Sequence, residues 1–245
     1  MPLTLSHAAV AWPISRAMPS LPRVPLIIGT LVPDATYFIH LVPGDAYSHS
    51  ARGVLTEGLP ISLAAWWAFE RWVRPACLNR LPIGMRTPVV STGMGLTQRL
   101  VLGVAAVLLG AASHIFWDSL THPGFWSLSE AAIPGVAWSR TLQDVSSVVG
   151  LGVLVLWAIR SVQQYPAGDR VLTSFQRSRL RNDALVVASA AVIGGLANGL
   201  GGNVAVRPML ARAALGAMLG LAVSIVALVG IDRMRARNDV QRHPI

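Results

Sequence analysis

Hydrophobic positions gather into six long runs separated by short stretches rich in arginine, proline and glycine: roughly 25–42, 54–73, 100–120, 145–159, 184–200 and 209–231. A bilayer core of about 30 Å takes roughly 20 mostly apolar residues of helix, and each run approaches that length. The pattern predicts an all-α, polytopic transmembrane bundle of six helices in a single integral-membrane domain. The runs differ in quality. The first is broken by Pro33 and Asp34, the second carries Glu57 and Pro60 near its start, and the third turns polar from Ser113 onward. The last two are cleaner.

Charge orients the bundle. There is no lysine, and 20 arginines carry all the positive charge. In a six-helix chain, sixteen of them fall on one side: Arg16 and Arg23 before helix one, Arg71 to Arg99 at the end of helix two and before helix three, Arg160 to Arg181 between helices four and five, and Arg233 to Arg242 after helix six. Only Arg52, Arg140, Arg207 and Arg212 fall on the other. Short loops with such a bias face the cytoplasm, so both termini are expected there. Residues 160–183 then form a basic cytoplasmic loop, 184–231 two C-terminal transmembrane helices, and 232–245 a basic tail.

Composition agrees with a lipid environment. At 53% hydrophobic and 13% charged residues, the chain has too little polar material to cover a soluble surface. The basic residues lie between apolar runs instead of forming a stripe with aromatics, which argues against nucleic acid as a partner. The partner implied is the lipid bilayer, and the pattern names no protein partner. The arginine-only, alanine- and glycine-rich composition suggests a GC-rich bacterial genome, so the expected location is the bacterial cytoplasmic (inner) membrane, with several passes. The start lacks a basic region ahead of its apolar stretch and a cleavage site, so insertion is expected to use the internal helices. Cys77 is the sole cysteine, which rules out an internal disulfide. Trp66, Trp67, Trp72, Trp126 and Trp138 suit interface anchors or packed aromatics. Gly195/Gly199 and Gly216/Gly220 have the spacing of close helix contacts.

Ionisable groups inside a membrane are costly, and each needs a reason. The densest group is Ser113–Gly124. His114 and Asp118 are four residues apart, hence stacked on one helix face, where they can grip one metal ion or form a hydrogen-bonded structural pair. His122 continues the spacing, but Pro123 disfavours helix at the preceding residue, so His122 is a ligand, a supporting group or a turn residue. Asp34 follows a proline that frees backbone groups, tolerated in lipid only beside protein or a wet cavity. His49 precedes helix two. By the charge-based topology His49, His114, Asp118 and His122 all lie toward the outer face. Histidines with carboxylates suit zinc, manganese or iron, and such a site can activate water and polarise a carbonyl or phosphoryl oxygen.

These residues carry a resemblance. The opening Met1-Pro2-Leu3-Thr4-Leu5-Ser6-His7-Ala8-Ala9, the Ile28-Gly29 and Pro33-Asp34 pairs, His49-Ser50, the ungapped block from Ser113 to Gly124, and Leu142-Gln143 with Ser146–Gly150 resemble the bacterial membrane family called domain of unknown function 4184. The likeness covers roughly residues 1–159, and Leu3 departs from the Phe expected there. The family is similar to inner-membrane proteins regarded as metal-dependent hydrolases. The resemblance implies His7, Asp34, His49, His114 and Asp118 as ligands of a divalent metal, zinc or manganese, with Asp118 holding metal or serving as base. Asp144 stands as a candidate for orienting a ligand and Glu57 as a weaker one. His7 conflicts with the topology, because it precedes helix one on the cytoplasmic side unless residues 1–21 fold back.

The leading expectation is a metal-dependent hydrolase with an outward-facing His/Asp site, acting on lipid-linked or other phosphoesters. The alternative is a non-catalytic scaffold, assembly partner or permease-like protein whose polar cluster is structural. A metal-ion transporter ranks last, since helices five and six offer almost no ionisable residues.

Overall fold

The computed structural model describes residues 3–37, 45–82, 85, 94–121, 138–166, 168, 171–199 and 206–242. Among these, every regular element is helical. Four helices are long and apolar enough to cross a membrane: Leu96–Thr121, Thr141–Gln163, Ser174–Ala197 and Arg212–Met234. They coincide with the expected third to sixth runs. The first two runs are segmented. The first is α3 (Arg23–Leu31) followed by a 3-10 stretch, Val32–Tyr37, because Pro33 has no N–H to continue the α ladder. The second passes from α5 (Ala51–Gly53) through a π turn at Val54–Gly58 into α6 (Leu59–Ala68), then a second π turn at Phe69–Val73 before α7 (Arg74–Leu78). Six uniform spanning helices therefore reduce, among the described residues, to four long helices and two broken runs.

The chain divides into two compact units, residues 1–67 with 89–164 and residues 68–88 with 165–245. In the first, α1 (Thr4–His7), a 3-10 turn and α2 (Ala11–Ala17) lead to α3, which packs along α8 (Leu96–Thr121). Glycine makes that packing close. A Cβ on Gly29 would fall on the Val107 carbonyl oxygen, and one on Gly110 on that of Leu26. Ala11, Leu26 and Ala106 form the centre of one apolar cluster, and Val32, Val54 and Ala111 that of another. Gly29→Ala or Gly110→Ala forces the two backbones apart. Overpacking of this kind costs about 1–3 kcal/mol, and each variant is expected to unfold at lower temperature in detergent.

The ends of this unit differ in charge. Arg16 closes α2, Arg23 opens α3, Arg99 lies in the first turn of α8 and Arg160 near the end of α9 (Trp138–Gln163). The Arg99 guanidinium sits 5.7 Å from the Trp66 ring centre and that of Arg160 5.5 Å from Trp12. Trp66 is thus a packed aromatic, 7% exposed, whereas Trp67 is 60% exposed, as an anchor would be. At the opposite end the Leu3 N–H donates to Ser147 Oγ (2.8 Å), and the buried Gln143 donates to the Thr121 carbonyl (2.9 Å). The outer face of α9 is apolar and open, with Val148 73% and Val155 59% exposed, which suits lipid and not water.

In the second unit, α10 (Ser174–Gly199) and α11 (Val206–Arg242) form a helical pair. A Cβ on Gly220 would fall on the Ala190 carbonyl, and one on Gly194 on that of Gly216, so Gly216 and Gly220 of the anticipated spacing lie at a true close contact. A charged cluster accompanies them. Arg80 Nε donates to Asp183 (2.5 Å), Arg80 Nη1 donates to Asp232 (2.5 Å), and Arg179 also donates to Asp232. Burial alone would lower the Arg80 pKa, but its bonds to Asp183 and Asp232 outweigh that and raise it above the ordinary value. Asp232→Ala removes the carboxylate that Arg179 bonds and leaves Arg80 with Asp183 alone, and breaking a largely buried pair from one side costs about 3 kcal/mol. We expect a clear loss of thermal stability, with Asp232→Glu recovering part of it.

Candidate metal centre

Four features of the first unit bring ionisable side chains together. Asp34 sits in the 3-10 stretch after α3 and is fully buried. His49 lies in the tight turn between α4 (Asp45–Ser48) and α5, where Ser50 Oγ caps the helix by accepting from the Gly53 N–H (3.0 Å). His114 and Asp118 project from one face of α8, and both are buried. His7 ends α1 and stacks on His114, ring centres 3.9 Å apart.

The distances within this group are nearly uniform. His49 Nε2 lies 3.3 Å from His114 Nε2, 3.5 Å from Asp34 Oδ1 and 3.4 Å from Asp118 Oδ2. His114 Nε2 lies 3.5 Å from Asp34 Oδ1 and 3.4 Å from Asp118 Oδ2. These are five of the six edges of a tetrahedron, and one donor atom from each of the four residues lies within 4.8 Å of all the others. The spacing exceeds the ~2.8 Å of charge-assisted hydrogen bonds. Neither oxygen of Asp34 accepts an ordinary hydrogen bond. A regular tetrahedron with edges of about 3.4 Å has its centre about 2.1 Å from each corner, the usual zinc–nitrogen or zinc–oxygen length.

Hydrogen bonding fixes the imidazole that matters most. His114 Nδ1 is 2.8 Å from the Thr30 carbonyl oxygen. A carbonyl only accepts, so Nδ1 carries the proton and neutral His114 presents the Nε2 lone pair to the group. The carbonyl is available because the helix tightens at Val32 and Pro33 removes a donor. His49 is supported in a related way, with Nδ1 3.1 Å from Ser48 Oγ. Two carboxylates and two imidazole nitrogens so arranged concentrate electron pairs at one point, and only protons or a cation there can hold them together. The donor set and its spacing could hold a metal ion. Ser48→Ala removes a support of one ligand, and the loss in metal affinity expected from such partners is about tenfold, readable by competition with a zinc indicator.

The other sequence candidates are placed differently. His7 Nε2 is 3.4 Å from Asp118 Oδ1, beside the four-residue group and on the far oxygen of Asp118. The charge-based topology set His7 on the side opposite the other candidates. The structure brings it beside them, because residues 4–17 form a helical leg ahead of α3. Asp144 is exposed, and its neighbour Gln143 is the buried residue that bonds to the end of α8. Glu57 lies in the π turn beside Val32, Pro33 and Ser48, with Oε2 buried. His122 lies outside the described residues. Sequence reasoning gave no role to Thr30, Ser48 or Gln143, the last of which entered only within the Leu142-Gln143 pair of the resemblance. The first acts through its backbone carbonyl, which no side-chain pattern reveals; the other two sit next to residues already singled out.

Fold and site together define a helical membrane protein with a buried His/Asp group able to hold a metal ion. Residues 1–229 match the family described as "Domain of unknown function (DUF4184)", and the chain belongs to that family. The match extends past the motif-bearing part into α11. No curated protein and no solved structure matches the chain.

Proposed function

We propose that this protein is a membrane-embedded, metal-dependent hydrolase of ester or phosphoester bonds. The observation that carries the reading is the set of His49 Nε2, His114 Nε2, Asp34 Oδ1 and Asp118 Oδ2, five of whose six edges are 3.3–3.5 Å. These four residues would hold the ion. A zinc or manganese ion there supplies a Lewis acid for the scissile carbonyl or phosphoryl oxygen and lowers the pKa of water. His7 is the proton carrier in this scheme. Its Nε2 faces Asp118 Oδ1 at 3.4 Å, and that carboxylate orients the ring and stabilises it once protonated.

The site is read as facing outward in the bacterial inner membrane. Arg16, Arg23, Arg99 and Arg160 lie at the end of the unit remote from His114; Arg99 alone is about 22 Å away along α8. The positive-inside rule puts that end in the cytoplasm, and residues 3–7 then lie toward the outside with the site.

The test is turnover of chromogenic carboxylic and phosphoric esters, short- and long-chain, by purified protein. Activity should vanish on chelation and return with zinc or manganese. His7→Gln should lower it by about 10²–10⁴-fold, the usual range for a lost general base, while metal content stays at the wild-type level. Metal-loaded protein that cleaves none of these esters, with the His/Asp group intact, would leave a non-catalytic, structural metal site as the better reading.

A further inference from the structure

A groove of about 490 Å³ runs beside His7 between the N-terminal helical leg, α8 and α9. That volume is within the range of small-ligand sites. Each wall is a helical stripe. The N-terminal leg offers His7, Val10 and Pro13, three residues apart, while α9 offers Ser146, Val149 and Val153 on one face. From α8 come Phe116 and Trp117, which flank the ligand-bearing face of His114 and Asp118. Gly150 lets α9 approach the leg, since a Cβ there would stand 2.7 Å from Ser6 Cβ.

Polarity changes along the groove. Ser6, His7 and Ser146 lie at the end of the site, and Val10, Pro13, Val149 and Val153 follow in the direction of Arg16 and Arg160. Val153 is about 18 Å along α9 from Thr141, well into the depth of a bilayer leaflet. The mouth is open and apolar: Phe116 is 64%, Trp117 40% and Val149 57% exposed. Since α8 and α9 are both able to cross a membrane, this mouth meets hydrocarbon. A slot that is polar at the reactive group and apolar toward the membrane centre matches an amphiphile held head to site and chain to core.

We infer that the groove holds the hydrocarbon chain of a membrane amphiphile whose ester or phosphoester head lies at His7 and the His/Asp group. The inference rests on the hydrolase reading and supplies its substrate class. Soluble esters should then be poor substrates beside those carrying a long chain.

Photolabelling tests it. Full-length protein in phosphatidylcholine vesicles is given a trace of phosphatidic acid bearing a diazirine in one acyl chain, and labelled positions are mapped by peptide mass spectrometry. Labelling at Phe116, Trp117, Val149 and Val153 should exceed that at the open lipid-facing residues Val155 and Val226 by about tenfold, a preference of ~1.4 kcal/mol. Val149→Trp fills the groove and should remove the excess; Val148→Trp, one residue away on the open face, should not. Even labelling of all lipid-facing positions, or an excess that survives Val149→Trp, overturns the inference. Zinc measured on the same samples separates the two claims. Groove labelling by protein that takes up no metal keeps the hydrocarbon site and removes the hydrolase reading. Metal-loaded protein labelled evenly does the reverse.

Discussion

His114→Ala is expected to lower zinc affinity by more than a hundredfold. The residue is fully enclosed at 1% exposure and is the best-fixed donor of the group. Its Nδ1 proton is held by the Thr30 carbonyl, its ring carries His7 on one face, and its Nε2 is 3.3–3.5 Å from His49, Asp34 and Asp118. Partners that merely orient a ligand contribute about 10–100-fold to metal affinity, so loss of a ligand with its orientation built in must exceed that. Isothermal titration of chelator-treated protein measures it. Wild-type affinity in His114→Ala would remove His114 from the ligand set. His114→Gln retains some hydrogen-bonding capacity without an imidazole, and should resemble the alanine variant in affinity while unfolding closer to wild type.

Metal supply should also govern stability. Asp34 and Asp118 are buried carboxylates facing imidazole nitrogens, and a divalent cation bound among them favours the folded state only. Ligand at a thousand times its dissociation constant adds about 4 kcal/mol. For a chain of this size that is on the order of 10 °C in unfolding temperature. Detergent-purified protein should therefore unfold at markedly lower temperature after chelation and recover with zinc. The Asp34→Asn/Asp118→Asn double variant should not respond to either treatment. A wild type whose unfolding temperature ignores both would show that protons, not a metal ion, hold the group together.

The long helices and the heart of the site are visible in the sequence for a simple reason. Hydropathy over twenty residues reports lipid exposure directly, and His114 with Asp118 share a face by helical spacing alone. Asp34 and His49 stand out as ionisable residues beside apolar runs, but only the packing of α3 on α8 and the capped turn at Ser50 bring them to within 3.5 Å of each other. His7 shows the limit. Counting apolar runs omits a helical leg as short as Thr4–Ala17 and so does not show that it carries His7 to Asp118. The break in the first run follows from Pro33, and each π turn is followed two residues later by a proline, Pro60 and Pro75, which has no N–H for the α ladder and crowds the carbonyl four residues back. Asp144 is exposed, and the buried polar residue one position earlier, Gln143, bonds to the end of α8.

The metal centre is tested most directly by zinc-edge X-ray absorption on wild-type protein purified without chelator and supplied with one equivalent of zinc, with metal content counted by elemental mass spectrometry. About one tightly held ion per chain is expected, with nitrogen and oxygen neighbours at about 2.0–2.1 Å and an imidazole signature. Protein that keeps no zinc, or holds it without imidazole, would contradict a metal centre built from His49, His114, Asp34 and Asp118.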